Sequence, residues 1–256
     1  MKTIFVSAAI LGVSWLAVSL TREASAGEKQ EAGFQTKVLI LVGGHGFDQA
    51  SFDKFWSGYD DIDSRIWKGS PYTAFDDISQ VKADVIVMYN LSSGMTEKQK
   101  QNFLKLLEQG VGLVVWHHAL ANCQDWSQFE KIAGAKFWLE PGERDGVKVG
   151  KSGTGYGTLK MHIEDPNHPV TKGLSDFEIT DEPYNHQTFC DENHVLVSTD
   201  SPQSDKTIAW VHEYGKARVF GCQSGHDAKV WTNDSFRRLM AQGIRWAGGR
   251  LPGAQP

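Results

Sequence analysis

The chain has 256 residues, of which 40% are hydrophobic and 22% charged. That is ordinary globular composition with material for a sizeable core. A net charge of −5 gives no electrostatic case for binding nucleic acid or anionic membranes. Nine tryptophans lean toward a carbohydrate ligand, because indole faces stack on sugar rings.

The N-terminus reads as a targeting segment. Met1-Lys2 is a short basic start, Ile4 to Leu20 is mostly apolar and uncharged, and Ala24-Ser25-Ala26 supplies the small residues a signal peptidase reads. Residues 1–26 are therefore expected to be a signal peptide. The chain would be exported to the periplasm or beyond, with no membrane association after cleavage. An uncleaved anchor fits less well, since the apolar stretch falls short of spanning length and ends in a cleavage signal. No cysteine follows it, which argues against a lipoprotein. Residues 27–36 read as a flexible lead-in, 37–250 as one domain and 251–256 as a loose tail.

The domain opens on Val38 to Val42, a continuous apolar run ending in Gly43-Gly44. A run buried on both faces is what a central parallel strand requires. Asp84 to Tyr89 and Gly112 to Trp116 repeat the pattern. Between them, Thr96 caps a helix whose apolar stripe is Phe103, Leu104, Leu106 and Leu107, and Gly110 ends it. Strand, helix and strand with short connections make a βαβ unit with a right-handed crossover. Pro141 to Gly157, rich in glycine and charge, reads as a long loop. Further strands are expected at Thr158–Ile163, His194–Ser198, Thr207–His212 and Lys216–Gly221, the last two joined by a hairpin turn at Tyr214-Gly215-Lys216. A helix over Ser235–Ala247 closes the fold. The expected architecture is α/β: a largely parallel, flavodoxin-like sheet flanked by helices, with an antiparallel extension. Cys123, Cys190 and Cys222 are an odd set, so buried thiols with at most one bridge are expected.

In open α/β sheets, ligands bind beyond the carboxyl ends of the strands. Three strand exits carry histidine: Gly43-Gly44-His45-Gly46, Trp116-His117-His118, and Gly221-Cys222-Gln223-Ser224-Gly225-His226-Asp227. If those strands are parallel, all three exits face one edge of the sheet. Asp181-Glu182-Pro183-Tyr184-Asn185-His186 adds two carboxylates, a phenol and an imidazole. Imidazoles with a carboxylate suit zinc, manganese or a similar divalent ion, and the same groups serve as acid and base without metal. His45, His117 and His226 are the candidate metal ligands. Glu182, His186 and Asp227 are the candidate acid/base residues, with Asp227 placed to orient His226. Tyr184, His118, Trp116 and Trp231 are candidate substrate contacts, the two indoles as stacking platforms. His162, His168, His194 and His212 read as structural. The glycines after the first strand lack the full dinucleotide pattern. The turn after Trp116 offers no Ser or Cys nucleophile, which disfavours an amidase.

These segments resemble the trehalose-utilisation (ThuA-like) family. The resemblance rests on Gly43-Gly44-His45, on Gly110 to Ala119, and on His168-Pro169-Val170-Thr171-Lys172-Gly173-Leu174 followed by Asp181-Glu182-Pro183-Tyr184. It continues through Tyr214 to Phe220, Gly225-His226-Asp227 and Gly243 to Ala247. Ala217 stands where the family usually has Gly, His118 is an addition, and the 141–157 loop departs from the pattern. The resemblance implies a fold related to class I glutamine amidotransferases without their cysteine. It also implies a role with trehalose or other disaccharides at the level of 3-keto sugars, by hydrolysis, lyase cleavage or isomerisation. A non-catalytic carbohydrate-binding protein using the same cleft is the competing expectation.

Overall fold

A computed structural model of the protein describes Met1 and residues 35–251. The expected signal peptide lies outside the described residues apart from Met1. Among those described, nine strands form one mixed sheet. In chain order they are β1 (Thr36–Gly43), β2 (Ile62–Ile66), β3 (Val85–Asn90), β4 (Gly112–Trp116), β5 (Gly157–Ile163), β6 (Phe177–Asp181), β7 (His194–Ser198), β8 (Thr207–Tyr214) and β9 (Ala217–Cys222). Their spatial order is β6-β5-β7-β8-β9-β4-β3-β1-β2. From β2 to β9 the neighbours run parallel. The remaining four pairings are antiparallel. The parallel half has the flavodoxin-like doubly wound order, and the antiparallel half is the expected extension.

Side chains alternate across the sheet and build two cores. Val38, Ile40, Val87, Val114 and Trp116 join one cluster, with Phe52 and Phe55 of α1 (Gln49–Trp56). Leu39, Leu41, Met88, Leu113 and Val115 join the other, with Phe103, Leu106 and Leu107 of α2 (Glu97–Glu108). α3 (Ser127–Ala133) packs on this second side through Phe129 and Ile132. On the first side lie α4 (Ala228–Trp231) and α5 (Asp234–Ala247). Helices cover both faces, which is why the parallel strands are continuously apolar. α2 begins with a reciprocal cap: Thr96 Oγ1 accepts the Gln99 N–H, and Gln99 Oε1 accepts the Thr96 N–H at 2.9 Å. Removing a buried ring such as Phe103 would cost about 3–5 kcal/mol.

Several expectations need correction. β1 begins at Thr36, one residue before the expected start of the domain. The 141–157 stretch is no plain loop: Gly142–Arg144 and Val147–Val149 form a hairpin, and Gly153–Thr154 pairs with Tyr184–Asn185. α1, β2, α3 and β6 are additional elements. All three cysteines are free, and Cys123 and Cys222 are buried.

Candidate functional site

Three loops at the carboxyl ends of β1, β4 and β9 meet, because β4 lies between β9 and β3 and β3 pairs with β1. After β1 the chain turns through Gly44 (φ 74°), where a Cβ would sit 1.6 Å from the Leu91 carbonyl oxygen. Only glycine allows that approach, and His45 follows directly. After β4 the chain turns sharply at His117, whose φ of 53° lies in the left-handed region. Such a conformation is rare for a residue with a Cβ and is maintained only by surrounding structure. A short 3₁₀ turn over His117–Ala121 follows. This strand-to-helix corner is where a hydrolase elbow would present a nucleophile; here it presents an imidazole.

His117 is fully buried. Its Nδ1 lies 2.7 Å from the Gln223 carbonyl oxygen. A carbonyl only accepts, so Nδ1 carries the proton, and in the neutral ring the Nε2 lone pair faces the site. Nε2 lies 3.2 Å from His226 Nδ1, 3.4 Å from Glu182 Oε2 and 3.0 Å from the Tyr184 hydroxyl. His226 Nδ1 lies 3.3 Å from the same Glu182 oxygen. Three donors thus form a nearly equilateral triangle. Bonds of about 2.1 Å at a tetrahedral angle place neighbouring ligand atoms about 3.4 Å apart, so the triangle fits a zinc-sized divalent ion. The donors satisfy the chemistry too: two imidazoles and one carboxylate.

The electrostatics agree with a carboxylate held ionised. Burial pushes the Glu182 pKa up, but hydrogen bonds to His117 and His226 outweigh it and hold the carboxyl well below its usual range. Reciprocally, the bond to Glu182 raises the His226 pKa against its burial. His45 and His118 go the other way. Burial, then the nearby His226 and His117, lower His45. Burial, then His117 and His45, lower His118 strongly. Both rings are therefore neutral at neutral pH. They stack with centroids 4.5 Å apart, and His45 lies edge-on to His226 at 5.4 Å. His118 is 3% exposed, and neither of its nitrogens has a hydrogen bond of normal geometry to the protein.

The support beneath the cluster includes residues the sequence did not single out. Asp181, fully buried, accepts the N–H groups of Gly225 and His226 at 2.7 and 2.9 Å. The Tyr89 hydroxyl lies 3.0 Å from the Gly225 carbonyl oxygen and 3.1 Å from that of His226. Trp116 Nε1 donates to Ser224 O at 2.8 Å, and Trp231 Nε1 to Gly225 O at 2.9 Å. The signal for Asp181 was its place beside Glu182 at a strand end; Tyr89 ends an apolar run and gave none.

The structure thus brings His45, His117, His118, His226, Glu182 and Tyr184 together, with some expected roles exchanged. Glu182 joins His117 and His226 in the donor triangle, and His45 stands outside it. Trp116 and Trp231 are 0% and 2% exposed; they are core residues and cannot stack on a ligand. Asp227 does not hold the His226 ring. Its carboxylate caps α4 by accepting the Lys229 N–H and accepts the Tyr156 hydroxyl. His186 is exposed and outside the triangle, with its N–H donated to Asp205 and its carbonyl accepting Ser152 Oγ. His162 and His194 pair with surface aspartates. His168 accepts the Val170 N–H, and His212 bonds the Ile132 carbonyl.

Comparison with known proteins follows the fold. None of the curated proteins compared with the chain matches it. A ThuA-like protein from Parabacteroides merdae aligns with 19% identity and a TM-score of 0.70, over 87% of this chain and 93% of that one. A ThuA-like protein from Bacteroides uniformis aligns with 20% identity and a TM-score of 0.63, over 84% and 92%. A β-galactosidase from Bacillus circulans aligns with 10% identity and a TM-score of 0.51, over 85% of this chain but 32% of that one. At these identities the likeness is one of fold. The sequence profile described as "Trehalose utilisation" matches residues 37–247, and the chain belongs to this ThuA family.

Proposed function

We propose that the protein is an exported sugar-processing enzyme acting on a glycoside or 3-keto sugar, with a divalent ion, zinc or manganese, held by His117, Glu182 and His226. The observation that carries this is the donor triangle with edges of 3.2, 3.4 and 3.3 Å. Family membership supports the sugar class, and the N-terminal sequence supports export. A bound ion would supply Lewis-acid stabilisation of negative charge developing on a sugar oxygen.

The chain's own residues supply the rest. A keto group acidifies the neighbouring C–H, and a neutral imidazole is a competent acceptor for that proton. His45 fits this role: burial keeps it neutral, and the residue is only partly buried. Elimination and isomerisation both start from that transfer. Tyr184, expected to be a substrate contact, is instead buried and stacks on the His117 ring, which it would hold in place, with its hydroxyl 3.0 Å from His117 Nε2.

The test is metal content by elemental analysis of protein purified without chelator, followed by turnover of 3-keto-trehalose. Near-stoichiometric metal is expected in the wild type, lost in His117→Ala, Glu182→Ala and His226→Ala. His45→Ala is expected to keep the metal and lose turnover. A wild type that takes up no divalent ion after reconstitution would sink the metal reading.

A further inference from the structure

Trp116 and Trp231 are closed off in the core, so any aromatic surface for a sugar ring would come from elsewhere. Tyr156 is 49% exposed, and among the described residues no other Phe, Tyr or Trp side chain falls in the exposed class. It lies in a run of small and polar residues, Ser152-Gly153-Thr154-Gly155-Tyr156-Gly157. An isolated open ring in such a stretch contributes nothing to the core.

Its position is built from both sides. The Tyr156 hydroxyl donates to Asp227 Oδ2 at 3.1 Å, and Asp227 directly follows His226. The Lys229 ammonium lies over one face of the ring, 5.1 Å from its centre. On the other side, the Gly155 N–H donates to the Pro183 carbonyl at 3.1 Å, next to Glu182. Gly153–Thr154 pairs with Tyr184–Asn185. The segment carrying Tyr156 is therefore fastened to both chain segments that deliver the donors Glu182 and His226.

We infer that Tyr156 offers the face away from Lys229 as the platform on which a pyranose ring of the substrate packs beside the histidine cluster. The inference rests on the sugar reading above. Sugar rings offer a face of C–H bonds that packs against an aromatic face while their hydroxyls stay solvated, and tyrosine suits such half-wet sites.

The test compares wild type, Tyr156→Phe and Tyr156→Ala by calorimetric titration with trehalose and with 3-keto-trehalose. Metal content and melting temperature are measured on the same samples. Tyr156→Ala is expected to bind the better of the two sugars about 3- to 10-fold more weakly. Tyr156→Phe keeps the face and is expected to stay within about twofold. Metal content should be the same in all three, because Tyr156 is outside the donor triangle. Wild-type affinity in Tyr156→Ala overturns the platform. So does an equal loss in Tyr156→Phe, which would make the hydroxyl the contact. A wild type that loads metal but binds neither sugar overturns the sugar reading itself, and the platform with it.

Discussion

The carboxylate of Asp181 holds the backbone of His226: one oxygen accepts the His226 N–H at 2.9 Å and the other accepts the Gly225 N–H at 2.7 Å. The strand that ends in Asp181 is at the far edge of the sheet in pairing order, yet its end reaches the loop after β9. Asp181 and Glu182 thus divide the work, one securing the loop and the other facing its imidazole. Asp181→Asn would set an amide NH₂ against a backbone N–H. We expect a loss of about 1–3 kcal/mol in stability and metal affinity weaker by about 10- to 100-fold. Chemical denaturation and metal titration measure the two separately. Unchanged metal affinity would show that Asp181 does not position His226.

Gly225 is held as tightly from above. Its φ is 134°, and a Cβ there would fall 1.9 Å from Trp116 Nε1. Trp116 cannot retreat, since it is fully buried among Phe52, Phe55 and Phe236. Gly225→Ala is therefore expected to cost about 3 kcal/mol, combining backbone strain with overpacking. Thermal melting would read this directly, and a loss below about 1 kcal/mol would mean the loop relaxes easily.

The thiols should be silent. Burial pushes Cys222 up to about 12 and Cys123 to about 11, and Cys190 also to about 11. The thiolate is the reactive species, so at about pH 8 the native protein should react with iodoacetamide far more slowly than the denatured chain. Turnover should survive the treatment. Rapid inactivation by the reagent would instead revive a cysteine-dependent, amidase-like mechanism.

The parallel half of the fold was readable because its strands are buried on both faces and punctuated by glycine: Val38–Val42 and Gly112–Trp116 admit little else. β2, with the sequence Ile62-Asp63-Ser64-Arg65-Ile66, is an edge strand with polar faces, so it carries no such signal. β6, Phe177–Asp181, is likewise an edge strand, and its alternation lasts only from Phe177 to Thr180 before the buried Asp181. At the site, three strand-exit histidines could be placed on one edge from connectivity alone. Which of them share a ligand could not, because Glu182 reaches His117 and His226 through a non-local contact that no periodicity encodes. The tryptophans misled for a related reason: composition counts indoles but does not say which face the core, and here Trp116 and Trp231 serve as anchors for the Ser224–Gly225 backbone.

Away from the site, Arg245 of α5 grips Asp61 just before β2, with both guanidinium contacts at 2.6 and 2.8 Å. The bond to Arg245 holds the Asp61 carboxyl below its usual value, with burial opposing. The folded pKa is thus depressed relative to the unfolded chain. The stabilisation is then fully present above the unfolded value, about 3.9, and is lost as pH falls through the folded one. The carboxylate is half exposed, so the pair is worth at most about 1 kcal/mol. Asp61→Asn should melt slightly earlier than the wild type at about pH 7, and the gap should close as the pH is lowered toward about 3. It should also shrink in high salt. A gap that stays constant across that range would mean that the Asp61→Asn substitution removes packing or hydrogen bonding rather than charge.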